Sequence, residues 1–334
     1  MEGHVSNHCY ANMVNQYYSK SAVLPKNDKI KNNVLNSVYN KYRRLVRYSE
    51  DYVKQMYVSD ILENCLACEI TKHLEKTAEV FNPNREYKLQ DAERIMITMD
   101  GNFQMKRLDD ISQKELPVDE MFSVSVSEKS LWGTKEEVEP AANATPVPSA
   151  DDEDEDCFAE SVEVNSFKAN NNNNRNNSSG RYDEIGVFSM SCARHGVPER
   201  LLNIHGGESH KYAVACVGHM LRANPQKKKY AIMYNIPCLV RKGLDRRFPV
   251  LKEDTWYGVT AFHTYGHTMA CQVNYNPKYI PNFGCTDREG CKRFWSYLDG
   301  FVSMTRSMSS RNRLLVITDS VDHFTYQKML ELRK

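Results

Sequence analysis

What the chain lacks narrows its class before any motif is considered. It contains no run of about eighteen consecutive apolar residues, so no helix is expected to span a membrane. The amino terminus, MEGHVSNHCYANMVNQYYSK, does not follow the charged-then-apolar plan of a secretory leader. A disulfide framework of the extracellular kind is missing too, because the 10 cysteines are scattered among 10 histidines. The expectation is a soluble, intracellular protein that is not secreted, with thiols either free or bound to metal. Net charge is nearly absent, at +1, but this average conceals an asymmetry. From Tyr182 onward there are 22 Lys and Arg against 13 Asp and Glu. A basic carboxy-terminal half suits a polyanionic partner without requiring one.

What is present is enough for a core. The 334 residues, 41% of them hydrophobic, allow one large domain or two modest ones. Residues 1–60 read as helical: in VLNSVYNKYRRLVRYSEDYVKQMY, Val34, Val38, Tyr42, Leu45 and Val46 recur near helical spacing with Lys and Arg between them. Such a stripe is either core with a solvated opposite face or a nucleic-acid contact. From residue 134 to 181 the apolar pattern fails. EEVEPAANATPVPSADDEDED is acidic and rich in Pro and Ala, and ANNNNNRNNSSG is almost pure asparagine. Neither can bury enough apolar surface to repay ordering, so a disordered acidic and Asn-rich insertion is expected.

The segment IMITMDGNFQMKR carries the first candidate for chemistry. Ile95, Ile97 and Met99 alternate as in a strand, which breaks at Asp100-Gly101. A carboxylate at a strand end is rigidly held, as a metal ligand must be; an Asp-Gly turn that merely reverses the chain reads the same way. QMKRLDDI is expected to return as its hairpin partner. Later segments read as two strands around Val187–Phe188 and Leu201–Ile204, a helix from Ser209 towards Arg222, a buried strand Ala231–Tyr234 ending at Asn235, and a helix with Glu289 in its first turn. Phe294, Trp295, Leu298 and Phe301 would form that helix's buried side, with Asp287 as its cap.

Cysteine and histidine spacing supplies further candidates. Cys65 and Cys68 form a C-x2-C knuckle, and Cys192 and His195 a C-x2-H that could complete a zinc site. Buried thiols are the plainer alternative. His263, His267 and Cys271 recur at i, i+4 and i+8, which on one helix would face the same way. Metal ligands and packed, hydrogen-bonded side chains remain equal readings of them.

The order of these pieces, strand with Asp100, strand pair, helix, strand ending at Asn235, helix with Glu289, resembles the RNase H-like α/β fold of cut-and-paste transposases. The wording is closer still to one family. CLACE, MDGNFQMKR, YDEIGVFSMSCARHGVP, NIHGGESHKYA, IMYNIPC, FHTYGHTMACQVNYNP and DREGCKRFWS, in that order between about residue 35 and residue 320, resemble the KDZ (Kyakuja–Dileera–Zisupton) transposases of fungi and other eukaryotes. The resemblance implies metal-dependent DNA cleavage and strand transfer on transposon ends, in the nucleus, with a homo-oligomer among the implied assemblies. Two divalent ions, Mg2+ or Mn2+, would clamp the attacking and leaving oxygens of a phosphodiester. Asp100 matches the first catalytic aspartate and Glu289 the catalytic glutamate, both as metal ligands. Cys65 and Cys68 match the family's C-P-x-C, and Cys238, His263, His267 and Cys271 its Cys and H-x3-H-x3-C positions, which are zinc-binding or structural. The core would then comprise residues 61–133 and 182–334.

The departures from the family pattern are as informative. Asn235 stands where the family has its second aspartate, so the trio falls from three negative charges to two. Arg288 replaces a glycine beside Glu289, and Lys292 replaces a glutamate one turn later. Each places positive charge beside the implied metal site and disfavours cations there. With no amino-terminal cysteine cluster and an early stop, the sequence reads as a decayed or truncated transposase. The alternatives are a catalytically dead DNA- or protein-binding descendant, and a zinc-stabilised interaction domain in which Cys65, Cys68, Cys192 and His195 serve folding alone.

Overall fold

Strand β1 (Ile95–Asn102) is buried on both faces, with Met96, Ile97, Thr98 and Met99 all buried. It is the middle strand of a sheet of five, paired along both of its edges. The computed structural model describes residues 42–47, 49, 65, 68, 94–109, 130–142, 181–205, 209–226, 229–280, 283 and 289–331. The chain divides into two compact units, one of residues 1–61 with 116–126, the other of residues 62–115 with 127–334. In the first, residues 42–47 and 49 are helical, with Tyr42 and Leu45 exposed and Arg47 buried. The remainder of the helical region expected over 1–60 lies outside the described residues.

The second unit is built on a five-stranded mixed sheet. Its order is β5 (Pro198–Ile204), β4 (Gly186–Cys192), β1, β6 (Tyr230–Tyr234), β7 (Thr255–Val259). β4 runs antiparallel to β1 and pairs with β5 as a hairpin, whereas β6 and β7 run parallel to β1. Helix α2 (His210–Ala223) carries the chain from β5 across to β6. Its start is set by Ser209, whose side chain accepts a hydrogen bond from the Lys211 amide. Helix α3 (Pro237–Arg247), with proline in its first turn, and the short α4 (Leu251–Asp254) connect β6 to β7.

Alternation along the strands sorts the core into two faces. Phe188, Met190, Leu202 and Ile204 pack with Tyr212, Val217, Val240 and Leu244 of α2 and α3. Val187 and Leu201, one residue out of phase, pack with Phe294, Trp295, Ile317 and Val321. Those four belong to helices α6 (Gly290–Leu298) and α8 (Ser310–Glu331), which follow α5 (Met269–Tyr275) and flank the short α7 (Val302–Arg306). The result is a mixed α/β unit with helices on both sides of the sheet. Among the described residues no helix is long and apolar enough to cross a membrane.

Three expectations are corrected. QMKRLDDI is not the hairpin partner of β1: β2 (Arg107–Leu108) pairs instead with β3 (Tyr182–Glu184) in a separate two-stranded sheet. Helix α1 (Lys135–Ala142) occupies the first residues of the segment expected to be disordered. Its acidic run concealed two anchors, a buried Val138 and Glu137, which pairs with Arg200 of β5. Residues 143–180 of that segment lie outside the described ones. Finally, His263, His267 and Cys271 do not share a helix. His263 precedes a 3-10 turn, Thr264–Gly266; His267 is extended, and α5 begins at Met269.

Candidate functional site

The parallel register of β1 and β6 brings Asp100 and Asn235 side by side. Thr98 pairs with Met233, so two residues further on Asp100 and Asn235 stand side by side. Asn235 lies just past β6, but the expected break of β1 at Asp100-Gly101 does not occur, because pairing with β4 carries the strand on to Asn102. Asn235 Nδ2 donates to Asp100 Oδ1 at 2.8 Å, and the Gly101 amide donates to the same oxygen at 2.9 Å. The next parallel strand, β7, is followed by Thr260, whose hydroxyl donates to Asn235 Oδ1 at 3.3 Å. A carboxylate can only accept, so it is the amide nitrogen of Asn235 that faces Asp100.

Glu289 stands immediately before α6, at its N-cap and not in its first turn as expected, while Asp287 lies outside the described residues. Its Oε1 accepts the Phe262 amide at 2.8 Å, and its Oε2 lies 3.2 Å from the Lys292 ammonium. Lys292 Nζ is also 3.5 Å from His263 Nδ1 and 3.8 Å from the centre of the Phe262 ring. His263 Nδ1 lies 2.8 Å from Thr260 Oγ1, which closes a chain of polar contacts from Asp100 through Asn235, Thr260, His263 and Lys292 to Glu289. Cys291 holds α6 against β1 by donating to Thr98 O at 3.5 Å.

Burial pushes the Asp100 carboxyl above its ordinary range, although the bonds from Asn235 and Gly101 and the Lys292 charge pull the other way. His263 is held down to about 4, first by burial, then by the charges of Lys292 and His267. Two hard cations would need anionic lone pairs here. The arrangement offers instead an amide N–H and an ammonium, each already directed at a carboxylate.

The sulfur and imidazole residues assemble elsewhere. Among the described residues, two groups of three or more His, Cys, Asp or Glu place their ligand atoms within 4.8 Å of one another. Neither contains Asp100 or Glu289. The first is Cys65, Cys68, Cys192 and His195: His195 Nδ1 lies 3.7, 3.3 and 3.6 Å from the three sulfurs in that order, and Cys68 and Cys192 are 3.5 Å apart. Both knuckles close on backbone hydrogen bonds, Cys68 N to Cys65 O and Gly196 N to Cys192 O. The Cys68 thiol is drawn well below its usual range by hydrogen bonds with Cys192 and Cys65, while those to Cys65 and Cys68 and burial push Cys192 well up. The second group is Cys238, His267 and Cys271. His263 is in neither. Both groups could hold a metal such as zinc.

Sequence reasoning missed two parts of this region. Thr260 lacks any signal of its own, because only the parallel register of β7 brings it to Asn235. Gly196 and Gly290 do carry a signal, since each is a glycine inside a motif. Gly196 adopts φ 69°, and a Cβ on Gly290 would lie 2.7 Å from Gly196 Cα, so the knuckle turn and the start of α6 meet backbone to backbone.

No curated protein and no solved structure matches the chain. The family model of the Kyakuja-Dileera-Zisupton transposase does match it, over residues 93–324, a span that runs from the start of β1 into α8 and contains Asp100, Asn235 and Glu289. With that match covering more than half of its length, the chain belongs to the KDZ transposase family.

Proposed function

We propose that this protein is a DNA-engaging KDZ transposase descendant, built on an RNase H-like core, whose strand-cleavage chemistry is impaired. The sheet order and the mixed strand directions support the core assignment, since three antiparallel strands are followed by two parallel ones beside β1. The impairment rests on one observation above all: Asn235 donates a hydrogen bond to Asp100 where a second carboxylate would share a metal with it. Lys292 neutralises Glu289 in the same manner. Mg2+ or Mn2+ therefore does not fit the residues as they stand.

The DNA reading draws on charge and exposure as well as family. The carboxy-terminal half is basic, and the exposed rings of Phe262 and Tyr265 lie in the loop beside Glu289, with the Lys292 ammonium over Phe262. Exposed rings among cations suit stacking against unpaired bases and contact with phosphates. A nuclear location and double-stranded transposon ends as the partner follow from the same reading.

The test is cleavage of supercoiled DNA in Mg2+ and then Mn2+. The protein as it stands should nick no faster than Asp100→Ala. Asn235→Asp combined with Lys292→Glu should nick faster by about 100-fold, equivalent to roughly 3 kcal/mol of barrier. Nicking by the unaltered protein that Asp100→Ala abolishes would sink the impairment.

A second reading, a zinc-stabilised fold, is favoured by the four ligands Cys65, Cys68, Cys192 and His195. Three thiolates and one imidazole make a closed tetrahedral set of the structural kind. Chelation should then lower the thermal midpoint of the whole unit. An unchanged midpoint after verified zinc removal excludes it.

A further inference from the structure

His267 has its two ring nitrogens committed in different directions. Nε2 lies 2.8 Å from the main-chain oxygen of Asn235, which can only accept, so Nε2 carries the proton. In the neutral ring Nδ1 then holds a lone pair, and this nitrogen faces the sulfurs, with Cys238 Sγ at 3.8 Å. Cys271 Sγ lies in the same group and is fully buried. Gln272 Nε2 fixes the segment by donating to the His267 carbonyl at 2.8 Å. A ring whose far N–H is bonded to a carbonyl, presenting its other nitrogen beside two thiols, has the outer bond that orients metal-ligating histidines.

We infer that Cys238, His267 and Cys271 form a second zinc site, separate from the four-residue cluster, and that His267 ties its occupancy to the position of Asn235. Two thiolates and an imidazole suit a borderline-soft ion such as Zn2+ rather than Mg2+, and three protein ligands leave the fourth position of a tetrahedral ion to water or an added ligand. His263 belongs to the other network, through Thr260 and Lys292, although its spacing from His267 suggested otherwise. Cys238 sits in the first turn of α3 and His267 just ahead of α5, so an ion would clamp those two turns together. Asn235 lies three residues before Cys238 and accepts from His267, so the clamp fixes the main chain that aims its amide at Asp100. His267 thereby acts as a positioning residue.

The inference is independent of strand cleavage and is tested without it. Full-length protein purified under reducing conditions should carry about two zinc ions per chain. Cys238→Ser with Cys271→Ser should lower that to about one, and so should Cys65→Ser with Cys68→Ser, while all four together should leave none. Cys238→Ser alone, at a half-buried position, keeps the count readable if the pair misfolds. The coupling is read by hydrogen exchange of the peptide covering residues 235–240. Zinc should slow it about tenfold in the unaltered protein and in Cys65→Ser with Cys68→Ser, but not in Cys238→Ser. Zinc content unaffected by Cys238→Ser, or a disulfide between Cys238 and Cys271 found by thiol labelling, would overturn the site. Slowing that persists in Cys238→Ser would overturn the coupling.

Discussion

Asp100 shows what a carboxylate does when its surroundings are built for a different partner. Its oxygen receives the Asn235 amide and the Gly101 N–H, yet burial still raises its carboxyl above the ordinary range. A carboxyl raised in the folded state binds its proton more tightly there than in the unfolded chain. Its contribution therefore favours the fold in acid and is lost as pH rises through the ordinary carboxylate range towards the raised value. Asp100→Asn removes the ionisable group while keeping an acceptor for Asn235. Its thermal midpoint should exceed that of the unaltered protein near neutral pH, and the difference should shrink towards about pH 4. Calorimetry at both pH values decides it: an equal difference at each would mean that the charge is not the cause. That Asp100 and Asn235 would lie on or just past buried strands was legible from the apolar pattern of the segments that carry them. Their hydrogen bonds were not, because each depends on a partner supplied by another strand or helix.

Elements were legible where one local period sufficed. The strands around Val187 and Leu201 and the helix after Ser209 stand where their apolar residues place them. The pairing of β2 with β3 was not, since nothing near Arg107 points to residues 182–184. The i, i+4, i+8 pattern of His263, His267 and Cys271 ignored Gly266, a poor helix former, and the helix resumes only at Met269. The Cys65–Cys68 and Cys192–His195 juxtaposition was open to spacing arguments, as ligand arithmetic needs no knowledge of the intervening chain. What spacing could not show is how closely that turn approaches α6. Gly290→Ala would press a Cβ against Gly196 Cα at 2.7 Å, with backbone on both sides and no flexible side chain to yield. The expected cost is about 1–3 kcal/mol, as for overpacking elsewhere. Because the displaced turn carries Cys192 and His195, zinc should also dissociate faster. Denaturant midpoints and a zinc-release assay measure the two effects, and loss of stability with unchanged zinc release would uncouple helix from knuckle.

At the scale of the whole unit, distant segments are joined by buried charge as well as by sulfur. Arg313 of α8 is fully buried, with Nη1 bonded to Glu184 of β3 and to Asn203 of β5, and Nη2 donating to Met105 O at 2.8 Å. Arg107 of β2 lies 3.2 Å from the other oxygen of Glu184, and also pairs with the more exposed Asp183. One buried anion thus serves two buried cations from opposite ends of the unit. Removing the anion and removing one cation are therefore unequal changes. Arg313→Met leaves Arg107 and Glu184 as a matched pair, so no buried charge is left uncompensated when the guanidinium gives way to apolar volume. Glu184→Gln leaves both guanidinium groups desolvated without their shared carboxylate, and breaking a buried pair in this way costs about 3–5 kcal/mol. Urea denaturation should therefore place Glu184→Gln well below Arg313→Met. The reverse order would mean that Arg313 acts mainly through Asn203 and the Met105 carbonyl, joining α8 to the strands by hydrogen bonds rather than by the shared charge.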